Sequence, residues 1–373
     1  MRSVRVSRGC LDDQELGALR EVFETGYFGH SIPVVEFEDA LKRYLSAQEV
    51  IATSTGTAAL HLALNCLDIG PGDEVIVPSL TFVGSYQAIA ATGATPVSCD
   101  VCESTLLTDV ADVERRITSR TRAIMPVHYG GSPCNMDRLL ELKNRYDVRI
   151  VEDAAHAFGT TYHGKKIGSI GDVTCFSFDS IKNITCGEGG AIASGDQELL
   201  GRLRTRRQLG IDRRSEAVSS WKNRSWQFTV RSAGFRYHMS AINAAIGKVQ
   251  LSKVRGFIAR RREICRAYDV ALGAVSGIRL READYDTVAP HIYVIRVEGG
   301  RRDALKRFLQ DRDIETGINY VPNHLHEFFA VDNCRLPVTE KVFEELLTLP
   351  LHCGLSSDDV EAVIDAVVSF MDV

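Results

Sequence analysis

The chain of 373 residues is 45% hydrophobic and 25% charged, proportions that exclude a disordered protein and allow a large core plus a second, smaller domain. A formal net charge of −5 gives no general attraction to nucleic acid or to an anionic membrane. The opening MRSVRVSRGC lacks an apolar signal core and no run of 18 apolar residues follows, so the expectation is a soluble cytoplasmic protein whose ten cysteines are free thiols.

In chain order, apolar residues at helical spacing over 11–25, led by acidic residues and stopped at Gly26, predict a first helix. A second is expected over about 35–45. From residue 49 onward short β-rich runs alternate with helical stretches: strands at 50–53, 75–78, 95–100, 123–128, 148–153, 173–178 and 190–194, and helices at about 57–67, 82–92 and 136–146. Such alternation predicts an α/β architecture in which helices cover both faces of a mostly parallel sheet, with ligands at the carboxyl ends of the strands. Residues 201–238 hold both tryptophans, Trp221 and Trp226, show no clean period, and are read as a loop or a partner-contacting arm. Their basic cluster (Arg204, Arg206, Arg207, Arg213, Arg214) reads as either a solvated helix face or an anion contact. A long helix over about 240–272 opens a smaller α+β region with a strand at 293–297, a helix at 303–309, a strand GINYV at 317–321 and a last helix that Ser356, Ser357 or Asp358 can cap. The division expected is a large α/β domain over 1–240 and a small C-terminal α+β domain over 241–373. Cys99 and Cys102 form a C-x-x-C with no second pair nearby, so no metal site is expected there.

Four stretches carry chemistry. Ser54-Thr55-Gly56-Thr57, between a strand and a helix, offers free helix-start amides and hydroxyls that suit a phosphate, and equally suits a plain helix cap. Asp153 ends the strand VRIVED, where an acid pairs a basic ring nitrogen, binds a metal or caps the following turn. His156 follows three residues later as a stacking, hydrogen-bonding or structural histidine. In GDVTCFSFDSIKNITCGEGG a β-prone run leads through polar residues to Lys182, which is either solvated or, where burial lowers its pKa, a nucleophilic amine. A phosphate seat, an acid for a pyridine nitrogen and a cavity lysine are together the requirements of pyridoxal 5′-phosphate (PLP).

The motifs STGTAALHLAL, PSLTFVGSYQAI, PVHYGG, VEDAAHAFG, FSFDSIKNITCGEGG, GFRYHMSAINAAIGKVQL and NYVPNHLH, in this order over nearly the whole chain, resemble the DegT/DnrJ/EryC1/StrS sugar aminotransferases, which are fold type I PLP enzymes. The resemblance implies a large domain with a mostly parallel seven-stranded sheet and the PLP/PMP cofactor. It implies that Lys182 forms the Schiff base, that Ser177 and the backbone of Gly56 and Thr57 hold the phosphate, that the Phe82 ring lies against the cofactor, and that Asp153 pairs its ring nitrogen. His156 stands where relatives often carry glutamine. Relatives commonly read G-Y-N-Y-R-M before the long helix, with the asparagine reaching across a dimer to the phosphate; this chain reads GFRYHM, which puts Arg236 there. That contact implies a homodimer with shared active sites.

The implied reaction moves an amino group from L-glutamate to a keto group of a nucleotide-linked deoxysugar, with AAHAFG and IKNIT favouring a TDP-4-keto-6-deoxyhexose. Arg213, His324 and His326 are the substrate-binding candidates. A 3-aminotransferase and a sugar dehydratase of the same family are alternatives, although dehydratase relatives replace the lysine with histidine. A sugar-sensing protein of this fold needs no such lysine. No nucleic acid, membrane or metal is expected to take part.

Overall fold

The computed structural model describes residues 3–212, 228–331 and 333–372. Arg213, Arg214, Trp221 and Trp226 lie outside the described residues.

Two helices come first. Helix α1 (Asp13–Thr25) starts at Asp12, whose side chain accepts from Gln14 N in a capping box with Glu15, and it stops at Gly26 in the left-handed region. Helix α2 (Ile32–Leu45) has a proline in its first turn and buries Val34, Phe37, Leu41 and Leu45, one apolar stripe at helical spacing. The alternating part then runs β1 (Glu49–Thr53), α3 (Gly56–Cys66), β2 (Glu74–Pro78), α4 (Val83–Ala90), β3 (Thr95–Cys99), α5 (Val110–Arg116), β4 (Thr121–Ile124), α6 (Met136–Tyr146) and β5 (Arg149–Asp153). A small hairpin, β6 (Thr161–Tyr162) with β7 (Lys165–Lys166), precedes β8 (Val173–Ser177), β9 (Gly190–Ser194) and α7 (Gln197–Arg206). A second small pair, β10 (Ile211–Asp212) and β11 (Thr229–Val230), leads to the long α8 (Ala241–Leu272). The chain closes with β12 (Ile278–Leu280), β13 (Tyr293–Val297), α9 (Arg302–Gln310), α10 (Pro337–Glu345), β14 (Leu346–Leu349) and α11 (Ser357–Met371).

The large sheet has seven strands in the order β1-β9-β8-β5-β4-β2-β3. All neighbouring pairs among β8, β5, β4, β2 and β3 are parallel, while β9 is antiparallel to both β8 and β1. β1 therefore runs in the same sense as the rest, and Thr53, Pro78, Asp153 and Ser177 all leave the sheet at one edge. The strands β2, β8 and β9 are buried at every position, as expected of a sheet covered on both faces. The α/β architecture read from the sequence is therefore the one observed. No helix among the described residues is long and apolar enough to cross a membrane.

A three-stranded antiparallel sheet, β12-β13-β14, forms a second core with the end of α8, α9 and α11, around Tyr268, Ile295, Leu347 and Val363. Here GINYV is not a strand, contrary to the sequence reading. Gly317 makes a single bridge to Thr348 on the outer edge of β14 and the chain then turns away, with Pro322 lacking an amide to continue a ladder. Two further expectations are corrected. Strand β4 ends at Ile124 rather than 128, because Pro126 interrupts the ladder and only Val127 bridges onward, to Asp153. Residues 201–206 are helical: α7 starts at Asp196, which caps Glu198 and Leu199, and buries Leu199, Leu200 and Leu203.

Candidate active site

Four elements converge at the carboxyl edge of the large sheet. Thr55 caps α3 by accepting from Ala58 N at 3.0 Å, so Thr55 and not Ser54 is the cap; Ser54 N instead donates to Tyr237 O. The amides of Gly56 and Thr57 in that first turn have no carbonyl of their own helix to bond. A β-carbon on Gly56 would lie 2.8 Å from Ser177 Cβ, so only glycine lets the start of α3 reach the end of β8. A β-carbon on Gly84 would lie 2.8 Å from Thr57 Oγ1 and 3.0 Å from the Phe82 ring, which brings α4 to the same point. Phe82 precedes α4 and is 55% exposed, so one face of its ring is free for a flat partner.

Asp153, the last residue of β5, is buried. Its Oδ2 accepts from Ser85 Oγ at 2.7 Å and its Oδ1 from Ala155 N at 3.1 Å, and Ser85 in turn meets Thr81 Oγ1 at 3.0 Å. The neighbouring Glu152 faces the other way and is fully buried, accepting from His128 Nε2 at 2.9 Å, Thr174 Oγ1 at 2.6 Å and Gly171 N at 2.9 Å.

Lys182 sits in the segment that joins β8 to β9. The ends of that segment are tied, Phe178 N donating to Gly189 O at 2.8 Å, and Asn183 anchors it by donating to Phe158 O and Ala289 O. Burial lowers the Lys182 amine from 10.5 to about 8, although the carboxylates of Asp153 and Asp179 pull it upward. Lys182 Nζ is 3.4 Å from His291 Nε2. The His291 ring lies 4.4 Å, centroid to centroid, from His156. His156 Nδ1 accepts from Gly130 N at 3.2 Å, so its Nε2 carries the hydrogen and meets Tyr320 Oη at 2.9 Å. Burial, with the charges of Lys182 and Arg281 next, holds His156 well below the usual histidine range, so it is neutral.

Tyr320 closes the circuit, its ring 5.7 Å from that of Phe82. Contact therefore runs without a break from Lys182 through His291, His156, Tyr320, Phe82 and Gly84 to Thr57. A separate cavity of about 310 Å³ lined by Arg5, Arg8 and His352 holds none of these residues.

The other candidates fall elsewhere. His324 is buried with Nδ1 2.7 Å from Ser79 Oγ and Nε2 3.4 Å from Glu340, a packed position, whereas His326 is exposed on the following turn. Arg236 is exposed on the strand-like stretch that bridges Gln208. Arg213 lies outside the described residues. Of the basic cluster, Arg204 pairs with Glu49, Arg206 with Asp68 and Arg207 with Glu38, so these three arginines brace the fold. Cys99 is buried and Cys102 exposed, and both are free thiols.

Three side chains of the site were not singled out from sequence. Ser85 lies in PSLTFVGSYQAI and Tyr320 in NYVPNHLH, motifs noted for other residues. His291 follows Pro290 just ahead of a strand, and that strand-start position is its only signal.

The arrangement fits PLP by its donor set. Helix-start amides and hydroxyls gather at Gly56, Thr57 and Ser177, an acid stands at Asp153, an amine of lowered pKa at Lys182, and flat rings at Phe82 and His156.

Comparison with known proteins agrees. The model of the DegT/DnrJ/EryC1/StrS aminotransferase family matches residues 9–368. Among solved structures, the aminotransferase TlmJ from Streptoalloteichus hindustanus is 37% identical, with 98% of each chain covered and a TM-score of 0.92. The sugar aminotransferase CalS13 from Micromonospora echinospora is 31% identical, covering 98% of this chain and 99% of its own, with a TM-score of 0.90. Spr1654 from Streptococcus pneumoniae, solved in its PMP-form, is 29% identical, covering 100% of this chain and 98% of its own, with a TM-score of 0.92. The chain belongs to the DegT/DnrJ/EryC1/StrS family of PLP-dependent sugar aminotransferases, enzymes of fold type I.

Proposed function

We propose that this enzyme moves an amino group from L-glutamate to the keto group of a nucleotide-linked deoxysugar, with a TDP-4-keto-6-deoxyhexose as the acceptor. The observation that carries the reading is the Lys182 amine, lowered to about 8 by burial within a circuit that also presents the acid of Asp153 and the helix-start amides of α3.

In this reading Gly56 and Thr57 amides and Ser177 Oγ hold the phosphate, Phe82 and His156 flank the ring, and Asp153 faces its nitrogen. Bound there, PLP supplies an electron sink and a carrier for the amino group. Asp153, fixed by Ser85 and the Ala155 amide, would accept a hydrogen bond from the ring nitrogen and so favour its protonated form. Lys182 Nζ takes up the proton that leaves the donor's Cα, a task for which a pKa near ambient pH is best suited. The sugar and its diphosphate are assigned to Arg213 and His326, while His324, buried against Ser79, is left a packing role.

Arg236, exposed on a single chain, is assigned to the phosphate of a partner subunit in a homodimer, where its fixed charge would serve as a donor. The division at residue 240 belongs to the same reading, because α8 starts there and packs against α1 and α2 at one end and α11 at the other.

The test is spectroscopic. PLP-loaded protein should lose its visible absorbance with L-glutamate and regain it with one member of a panel of nucleotide keto sugars, whose product is then identified by mass and NMR. Lys182→Ala should complete neither half-reaction, and a Lys182→Ala protein that does so removes the lysine from the mechanism.

A further inference from the structure

His291 comes from the start of β13, 109 residues from Lys182, and its Nε2 is the hydrogen-bonding atom placed beside Lys182 Nζ, at 3.4 Å. The residue is held on several sides. Its amide donates to Gly130 O at 3.2 Å, its carbonyl accepts from Nη1 of the buried Arg261 at 3.0 Å, and its ring packs on His156. Nδ1 is buried and has no hydrogen-bond partner among the described residues.

His156 cannot take over the contact. Its two ring nitrogens are committed to the Gly130 amide and to Tyr320. Of the two stacked imidazoles, only His291 turns a nitrogen to the lysine.

The surroundings make that nitrogen an acceptor. Burial first, then the charges of Lys182 and Arg261, hold His291 well below the usual histidine range, so the ring is neutral and one of its nitrogens keeps a lone pair. Burial works against the ammonium form of Lys182 and Asp153 and Asp179 work for it; below the resulting value of about 8 the amine is an ammonium with only hydrogens to offer, so Nε2 is the His291 nitrogen that carries the lone pair. A lysine stem untethered at its tip samples many rotamers, and a hydrogen bond at Nζ removes that freedom.

We propose that His291 is a positioning residue for Lys182: whenever the Lys182 amine is free of the cofactor, His291 Nε2 accepts a hydrogen bond from it and holds Nζ in the cavity, ready for proton transfer and for its return. The proposal rests on Lys182 being the cofactor-bearing lysine.

The experiment uses the full chain, cofactor-free and PLP-loaded, as wild type and as Lys182→Ala, His291→Leu, His291→Asn and His291→Gln. In the cofactor-free protein, the rate of Lys182 acetylation by trace acetic anhydride, read by peptide mass, reports the amine's titration. The wild-type midpoint is expected near 8. Leucine removes the acceptor and destabilises the ammonium form, so the midpoint should fall by about half a unit or more. Glutamine places an amide oxygen near the position of Nε2 and should restore the midpoint; asparagine is too short and should behave as leucine does.

In the loaded protein His291→Leu should lower kcat by about 10-fold or more with KM for both substrates within about twofold, and glutamine should recover most of the rate. An unchanged midpoint in the leucine and asparagine variants overturns the proposal, as does an equal loss in glutamine and leucine. Should the leucine variant not fold, the asparagine and glutamine pair decides alone. A Lys182→Ala protein that still holds PLP in a borohydride-reducible bond overturns the lysine assignment itself, whatever the His291 variants do.

Discussion

Ser85 Oγ donates to Asp153 Oδ2 at 2.7 Å, joining the first turn of α4 to the last residue of β5. The acid at the strand end is therefore aimed by a helix that also carries Phe82 at its start. A hydrogen bond to a charged group contributes about 1.5–3 kcal/mol. Ser85→Ala should weaken PLP retention by on the order of 10-fold or more while leaving the fold intact, as read by equilibrium dialysis and far-UV circular dichroism. Ser85→Thr keeps the hydroxyl and should lose less.

Gly56 is the close approach between α3 and β8. An added methyl would press on Ser177 Cβ at 2.8 Å and on its Cα at 3.2 Å, which belong to a buried strand and do not swing away. Overpacking of this kind costs about 1–3 kcal/mol. In Gly56→Ala the loss should appear mainly in affinity for PLP and inorganic phosphate, with a smaller drop in thermal midpoint, because the helix start moves off the seat.

Glu152 serves the fold where its neighbour Asp153 serves the site. His128 Nδ1 accepts from Cys134 N at 3.0 Å, so Nε2 carries the hydrogen that Glu152 receives. Removing one member of such a fully buried set leaves the others unpaired. Glu152→Ala should destabilise the protein by about 3–5 kcal/mol in denaturant titration. Glu152→Gln, which still accepts from Thr174 and Gly171 through Oε1 but turns an amide NH2 to the His128 N–H, should recover only part of that loss.

Cys10 and Cys353 are neighbours beside Arg261. The Cys10 thiol acting as donor, opposed by burial and aided by the Arg261 charge, holds the Cys353 thiol below the ordinary cysteine range, and the Cys10 thiol is correspondingly pushed up. A lowered thiol is already thiolate at neutral pH, so its alkylation should level off near pH 7. At the exposed Cys102, which burial and Asp109 push up, the rate should still be climbing at pH 9. Iodoacetamide mapping by peptide mass across pH separates the two, and Cys10→Ala, which removes the donor, should abolish the early plateau at Cys353.

Much of this site could be read along the chain because its parts are local. A strand end followed by an acid, a helix start rich in hydroxyls, and a β-prone run leading to a lysine are signals within one element each, and Asp153, Thr57 and Lys182 all stand at the expected edge of the sheet. Ser85 and His291 act through partners 68 and 109 residues away, and no spacing rule spans such distances. GINYV misled for a related reason. Its β-prone composition is real, and Gly317 does bridge Thr348 on the open edge of β14, but the run is cut short as the chain heads into Pro322, which has no amide for a ladder. β14 forms the third strand although its sequence, LLTL, lacks alternation.

The reversed strand β9 has a mechanical result. Since β8 and β9 are adjacent, the segment carrying Lys182 leaves and re-enters the sheet at one rung, with Ser177 opposite Gly190 and Phe178 N bonded to Gly189 O. The segment is also pinned behind its tip, by the Asn183 contacts and by the burial of Ile184, Thr185 and Cys186, so its amides should exchange as slowly as those of the strands beside it. Closed at its base and held from behind, the segment leaves movement at the site to the stem of Lys182.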